Sequence, residues 1–197
     1  MADLMPRHDR NTPPAELLWS VDGFYSPEEC AAAIAASEAA GFEEALVTTG
    51  RGMVMNKEVR NNDRRIFDDP QLAATLFDRI RVNVPEFVRE RHDEPKTEWQ
   101  VCGLNERFRM YRYGPGHRFS PHYDGAFHRI PDREESALTF MIYLNDDFEG
   151  GETAFEELVV KPKCGSALLF FHAIRHEGRE VTRGHKYVLR SDVMYAR

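Results

Sequence analysis

The chain has 197 residues, 42% of them hydrophobic, which suits one packed domain and excludes disorder as the ground state. Its formal net charge of −7 argues against a general grip on nucleic-acid phosphates, so a nucleic-acid partner is not expected. Three cysteines, Cys30, Cys102 and Cys164, are odd in number, widely spaced and free of any CxxC pattern; buried thiols in a reducing compartment are expected, not a disulfide scaffold. The opening MADLMPRHDRNTPP lacks an apolar signal-type segment, and the longest mostly apolar run, Ala167 to Ile174, is too short to span a bilayer. A cytoplasmic protein without membrane attachment is the expectation.

Ser26-Pro27-Glu28-Glu29 reads as a helix start, with Ser26 as cap, proline at the first helical position and Glu29 closing a capping box. The alanine-rich run behind it continues to Gly41, a natural stop. Asp69-Pro70 repeats the start signal. Leu72, Leu76, Ile80 and Val84 recur at helical spacing, so a second helix is expected to run toward Glu90. Between the helices, residues 43–67 are polar with short β-like pieces, and a stretch of that length inside a compact domain is usually functional or mobile.

From about Val101 the pattern changes to short strands separated by Gly, Pro and Asp turns. Strands are expected at Phe108–Tyr113, Phe119–Tyr123, Ala137–Leu144, Thr153–Glu157, Leu158–Lys161, Ser166–Phe171, Glu177–Val181 and Tyr187–Tyr195. So many short strands suggest a closed sandwich or barrel of the cupin and jelly-roll kind. In Ala137–Leu144 the even positions Leu138, Phe140, Ile142 and Leu144 are all apolar, whereas the odd positions include Thr139 and Tyr143. Alternate side chains leave opposite faces, so the even face is expected to pack on the helices and the odd face to look into the barrel. The chain is read as a single domain, 1–197, with residues 1–100 as helical support and lid and 101–197 as the β core.

The chemistry concentrates at His122-Tyr123-Asp124. Two positions apart on or just past a strand, His122 and Asp124 leave the same face with Cα atoms about 6–7 Å apart. They can converge on one ion but cannot close a site, so a third ligand must come from another strand. His172 and His176 both qualify on position. Two imidazoles and one carboxylate cover one face of an iron ion and leave the remaining positions open. Lys186, behind the second histidine, offers an ion-pair partner to an acidic co-substrate. Lys186, Val188 and Arg190 share a strand face, with Lys186 and Arg190 about 13 Å apart along it, too far to grip one carboxylate together.

The run Tyr113-Gly114-Pro115-Gly116-His117-Arg118-Phe119-Ser120-Pro121-His122-Tyr123-Asp124-Gly125 resembles the first iron-ligand motif of prolyl 4-hydroxylase-type 2-oxoglutarate/Fe(II) oxygenases. Tyr143-Leu144-Asn145, Gly150-Gly151-Glu152-Thr153 and Pro162 to Phe170 resemble that family's central strand, turn and following hairpin. His176, Gly178, Val181, Gly184 and Lys186 fit its pattern His-x-Gly-x-x-Val-x-x-Gly-x-Lys, which His172 does not. The resemblance covers the chain from about Leu104 onward. It implies a mainly β (α+β) fold, a double-stranded β-helix with N-terminal helices packed on one sheet. It also implies a hydroxylase that consumes 2-oxoglutarate and O2, with ascorbate as auxiliary reductant. By the same resemblance His122, Asp124 and His176 bind Fe(II), and Lys186 pairs with the distal carboxylate of 2-oxoglutarate, with Arg190 as runner-up. Tyr143 and Tyr113 donate hydrogen bonds to the co-substrate. The competing expectation is a cupin-like metal binder without 2-oxoglutarate chemistry, which would have no need of Lys186 and Tyr143 together.

The substrate is less legible. Arg60, Asn62 and Arg64 in the inter-helix stretch could hold a carboxylate or a peptide backbone, and Arg129 in the loop after Asp124 borders the expected opening. A prolyl residue in a peptide or protein and a small amino-acid-like metabolite are both admissible.

Overall fold

Helix α1 (Pro27–Ala40) begins where its cap chemistry dictates. Ser26 Oγ accepts from the Glu29 N–H at 3.1 Å, and Glu29 Oε2 accepts from the Ser26 N–H at 2.9 Å, closing the box. The computed structural model describes residues 5–6, 14–45, 47–49, 52–54, 56–89, 98–130 and 132–197. Helix α2 (Pro70–Ile80) is capped by Asp69, whose carboxylate accepts from the Leu72 N–H at 2.9 Å, and it buries Ala73, Leu76 and Ile80. It does not run toward Glu90. A single 3-10 turn at Arg81–Asn83 follows, and Val84 is extended at φ −113°, ψ 149°. Pro85 explains the stop, because its ring disfavours helical backbone at the residue before it. Residues 87–89 then form a strand.

The strands that position the site are β1 (Leu18–Val21), β2 (Asp63–Asp68), β3 (Glu98–Leu104), β4 (Arg107–Tyr113), β5 (Phe119–His122), β6 (Glu134–Tyr143), β7 (Thr153–Phe155), β8 (Ala167–Phe171), β9 (His176–Gly178) and β10 (Lys186–Ala196). The 11-residue β10 lies at the centre of the larger sheet. On one edge it pairs with β6, and β8 and β1 continue from there. On the other edge its first half pairs with β4 and its second half with β3. Strand β2 lies outside β4. The smaller sheet runs β5, β9, β7 and then Val159–Val160. The two ladders stay separate, so the described strands form two main sheets, with two small two-stranded ladders beside them, and not the closed barrel that was one of the two architectures expected from the sequence. The expected strand Glu177–Val181 is likewise two pieces: His176–Gly178 belongs to the smaller sheet, and Val181–Arg183 pairs with Glu149–Gly150.

The alternation in β6 sorts its side chains as its pattern requires. Leu138, Phe140 and Ile142 are wholly buried. Phe140 meets Phe24 edge-on, 5.4 Å between centroids, in the turn that leads into α1. Removing each such side chain from water is worth roughly 1.5–3 kcal/mol. On the outer face of β4 and β10 the paired residues Arg112 and Tyr187 both reach Glu38 of α1, Tyr187 Oη at 2.6 Å. Helix α2 packs against β3.

The entry to β8 is locked at Gly165 to the turn that leads into α1. This residue holds φ +76° and exchanges close backbone contacts with Tyr25, whose N–H donates to Gly165 O at 2.9 Å. A Cβ there would lie 2.2 Å from Tyr25 O. Gly165→Ala is therefore expected to cost about 2 kcal/mol or more of folding stability, through both the left-handed backbone and the clash. Denaturant titration would read this directly; an unchanged midpoint would count against the tight approach.

Candidate metal and co-substrate site

Strands β5 and β9 run antiparallel with His122 directly opposite His176. Two imidazoles more than fifty residues apart thus meet with ring centroids 4.3 Å apart. Asp124 lies just past the end of β5, and its carboxylate reaches both rings. Oδ1 is 3.7 Å from His122 Nε2, and Oδ2 is 3.6 Å from His176 Nε2. One donor atom from each of the three residues lies within 4.8 Å of the other two, a spread that a single ion can bridge.

The backbone turns each ring the same way. His122 Nδ1 lies 2.8 Å from Ser120 O and His176 Nδ1 lies 3.0 Å from Ile174 O. A carbonyl only accepts, so each Nδ1 carries the proton and each Nε2 presents its lone pair toward Asp124, as a metal ligand must. Burial, reinforced by the neighbouring His176, brings the His122 imidazole down to about 4, so it is neutral at physiological pH. Burial opposes the charge on Asp124. Arg190, 3.1 Å from Oδ2, overcomes that and holds the carboxyl far below the usual range.

Behind Asp124 stands a brace that the sequence did not reveal as such. Thr139 Oγ1 donates to Asp124 Oδ2 at 2.5 Å. Its oxygen must then accept from His172 Nδ1 at 3.1 Å, which leaves His172 Nε2 to accept from Ser136 Oγ at 2.9 Å. His172, a positional alternative for third ligand, is thus committed to orienting Thr139. Arg190 spans Asp124 and Asp192, the latter at 3.0 Å, and Arg109 pairs with Asp192 at 3.2 Å. Arg190 shares the inner face of β10 with Lys186 but serves the carboxylate of the donor set.

The donor atoms face a cavity between the two sheets whose walls include Met141, Phe170 and Val188. At its other end Lys186 is buried to 3% exposure, with Nζ 5.3 Å from the ring centroids of both Tyr113 and Tyr143. The ammonium donates to Gly151 O at 2.5 Å. Burial pulls its pKa down to about 7, against the raising influence of Glu152. Tyr143 Oη shares a 2.6 Å hydrogen bond with Thr153 Oγ1, which aims the phenol along the same wall. Burial raises Tyr113 to about 12 and Tyr143 further still, so both remain phenols. Two neutral imidazole nitrogens and one carboxylate suit a divalent first-row ion such as Fe(II), and leave coordination positions for other ligands. A buried ammonium whose one hydrogen-bond partner among the described residues is a carbonyl suits an incoming carboxylate.

The residues expected to meet the substrate divide. Arg60 and Arg64 line a second, wider cavity on the far side of His122. Asn62 is buried and braces Arg60, its Oδ1 accepting from Arg60 Nε at 2.6 Å. Arg129 is not brought there: it is ion-paired with Glu106 and Glu134 and lines a separate surface cleft with Trp99 and Ile130. Arg109 and Tyr111, unmarked by the sequence reading, stand in the wider cavity instead. Their signal was available, since 109, 111 and 113 share one face of β4.

Residues 108–191 match the family model described as the 2OG-Fe(II) oxygenase superfamily. Among curated proteins, the probable prolyl 4-hydroxylase 11 of Arabidopsis thaliana is 38% identical over 116 residues, which cover 50% of this chain and 39% of that protein. Prolyl 4-hydroxylase 1 of the same plant is 26% identical over 90% of this chain and 70% of its own length. The chain thus spans about two fifths of the first of these relatives. In fold, a solved viral collagen prolyl hydroxylase from Paramecium bursaria Chlorella virus-1 superposes with TM-score 0.60 at 22% identity, covering 92% of this chain and 97% of that one. With the His/Asp/His set in a cavity lined by the same matched stretch, the chain resembles, through residues 108–191, the 2OG-Fe(II) oxygenase superfamily and, within it, the prolyl 4-hydroxylases.

Proposed function

We propose that this chain is a 2-oxoglutarate- and Fe(II)-dependent oxygenase that hydroxylates an unactivated C–H bond, on a double-stranded β-helix core. The observation that carries the reading is the pairing of two features in one cavity. His122, Asp124 and His176 converge at one end, and the buried Lys186 ammonium stands at the other. His122 Nε2, His176 Nε2 and an Asp124 oxygen would hold the iron, and Lys186, with Tyr143 and Tyr113 beside it, would hold the distal carboxylate of 2-oxoglutarate. When bound, the iron supplies O2 activation coupled to decarboxylation of 2-oxoglutarate to succinate and CO2, one oxygen atom going to succinate and the other to the substrate carbon. Arg190 and Thr139 keep Asp124 ionised and oriented. Phe170, Met141 and Val188 exclude water around the co-substrate, which strengthens the Lys186 ion pair. A cupin-like metal binder without 2-oxoglutarate has no use for that buried cation, which is costly unless an anion meets it.

A prolyl carbon is the first substrate class to test, because the relatives named above act under that name. Residues 1–100 are read as support for the core, with the segment around Arg60 bordering the substrate side. No described helix is long and apolar enough to cross a membrane. Purified chain supplied with Fe(II), ascorbate, O2 and 2-oxoglutarate is expected to release succinate and CO2 in equal amounts, and a prolyl peptide or free proline to stimulate that release. Succinate at the level of a metal-free control under all of these conditions would overturn the proposal.

A further inference from the structure

The wider cavity beyond His122 measures about 360 Å³ and is walled by arginines. Arg60, only 5% exposed, has its guanidinium between the Tyr111 and Phe119 rings, 4.5 and 4.4 Å from their centroids. Phe119 in turn stacks on His122 at 3.5 Å, so Arg60 is one aromatic ring away from the donor set. The segment is pinned: Ser120 N–H donates to Val59 O at 2.8 Å, and Arg118 N–H donates to Asn61 Oδ1 at 2.7 Å. With Nε taken by Asn62, Arg60 Nη2 is buried and has no partner among the described residues. A buried charged donor left unpaired costs roughly 1–3 kcal/mol or more, so a rigid site that keeps one is built for a ligand that supplies the acceptor.

The surrounding charge is predominantly positive. Arg64 lies opposite Tyr111 in the β2–β4 ladder, and Arg109 and Arg190 stand on the same wall. Against these four guanidiniums stand Asp124 on the wall, which is committed to the donor set, and Asp192 behind it, shared by Arg109 and Arg190. Glu43, paired with Arg64 across the β-ladder, is exposed at the rim. The excess positive field shows on Tyr111: burial opposes ionisation, yet Arg60, Arg190 and Arg109 bring the phenol down to about 8.

We propose that this cavity selects substrates bearing a carboxylate, which Arg60 Nη2 and the Arg64 guanidinium hold so that a nearby C–H faces the donor set. The assignment rests on the oxygenase reading for its chemistry, but its binding stands on the arginines alone. A planar carboxylate matches a guanidinium edge held between two rings, and the charge-assisted bond is the strong kind. The carboxylate can belong to a free amino acid or to the C-terminal residue of a peptide.

The test is binding calorimetry on chain loaded with Mn(II) and 2-oxoglutarate. The titrants are free L-amino acids, N-acetyl tripeptides ending in the same residues, the C-terminal amides of both sets, and inorganic phosphate. At least one acid is expected to bind about ten- to hundred-fold more tightly than its amide. Arg64→Gln, at a half-buried position, is expected to bring that ratio close to one, and Arg60→Lys, which keeps the charge but loses the fork, to reduce it. Preference for the free amino acid or for the tripeptide acid identifies the source. Equal affinity of acids and amides, no acid binding, phosphate binding tighter than any carboxylate, or a ratio untouched in both variants overturns the proposal. Succinate release without acid preference sinks this inference alone. Arginine-dependent acid binding with no succinate under any condition sinks the oxygenase reading and leaves the carboxylate pocket standing.

Discussion

Lys186→Met is expected to raise the 2-oxoglutarate concentration for half-maximal succinate release by roughly 100- to 1,000-fold, the penalty for leaving one charge of a buried pair unmatched. Metal binding is expected to survive, because Lys186 stands at the opposite end of the cavity from His122, Asp124 and His176. The same variant carries a signature that a merely structural residue would not. Burial depresses the Lys186 pKa from the ordinary lysine range to about 7. Between those two values the unfolded chain binds a proton that the folded chain does not, so this group's penalty on folding grows as pH falls from alkaline toward 7 and is complete below it. A bound dicarboxylate restores the charged form. Binding of 2-oxoglutarate at about pH 8 is therefore expected to take up nearly one proton at this residue, and at about pH 6 almost none. Calorimetry in buffers of unlike ionisation enthalpy measures that uptake, and Lys186→Met should abolish it. The ligand-free variant, relieved of a desolvated ammonium, is expected to melt no lower than the parent at neutral pH. If Arg190→Met raised the 2-oxoglutarate requirement and Lys186→Met did not, the two roles would be exchanged.

What the sequence disclosed and what it withheld divide along one physical line. Local chemistry was legible. Ser26 and Asp69 start helices because their oxygens reach N–H groups three residues on, and nothing distant alters that. The alternation in β6 announced its two faces for the same reason. The candidate ligands were legible because the spacings His122-x-Asp124 and His176-x9-Lys186 are short-range. Features decided by pairing between distant segments were not. Strand β2, Asp-Arg-Arg-Ile-Phe-Asp, is too polar to read as a strand, and it becomes one because β4 offers an edge some forty residues away. That register brings Arg64 beside Tyr111 and Ile66 opposite Arg109, and so builds the arginine wall. Arg129 failed in the converse sense. It borders the expected opening in sequence, but Glu106 and Glu134 hold it elsewhere. The exit of α2 was overread because the apolar period through Val84 outweighed Pro85, whose local veto prevails.

Asp124→Ala is expected to lower affinity for Fe(II), or for Mn(II) as its redox-inert substitute, by about 1,000-fold or more and to abolish succinate release, while leaving the fold intact. The second half of that statement follows from how the donor set is held. Each imidazole is already fixed by a backbone carbonyl. Thr139 retains His172, and Arg190 retains Asp192 at 3.0 Å when Asp124 is gone. No described buried group depends on an ion to complete its hydrogen bonding at this corner, so the ion is a ligand of a finished structure and not part of its folding nucleus. Chelation should then shift thermal stability only by simple linkage, about 2.7 kcal/mol at a metal concentration one hundred times its dissociation constant. Circular dichroism of the chelated parent and of Asp124→Ala should superpose on that of the loaded protein, and metal titration should separate them. An Asp124→Ala chain that still bound the ion at parental affinity would remove Asp124 from the ligand set. One that failed to fold would mean that Arg190, released from one of its two carboxylates, is the more demanding charge, and Asp124→Asn with its retained hydrogen bond to Thr139 would then recover the fold without recovering turnover.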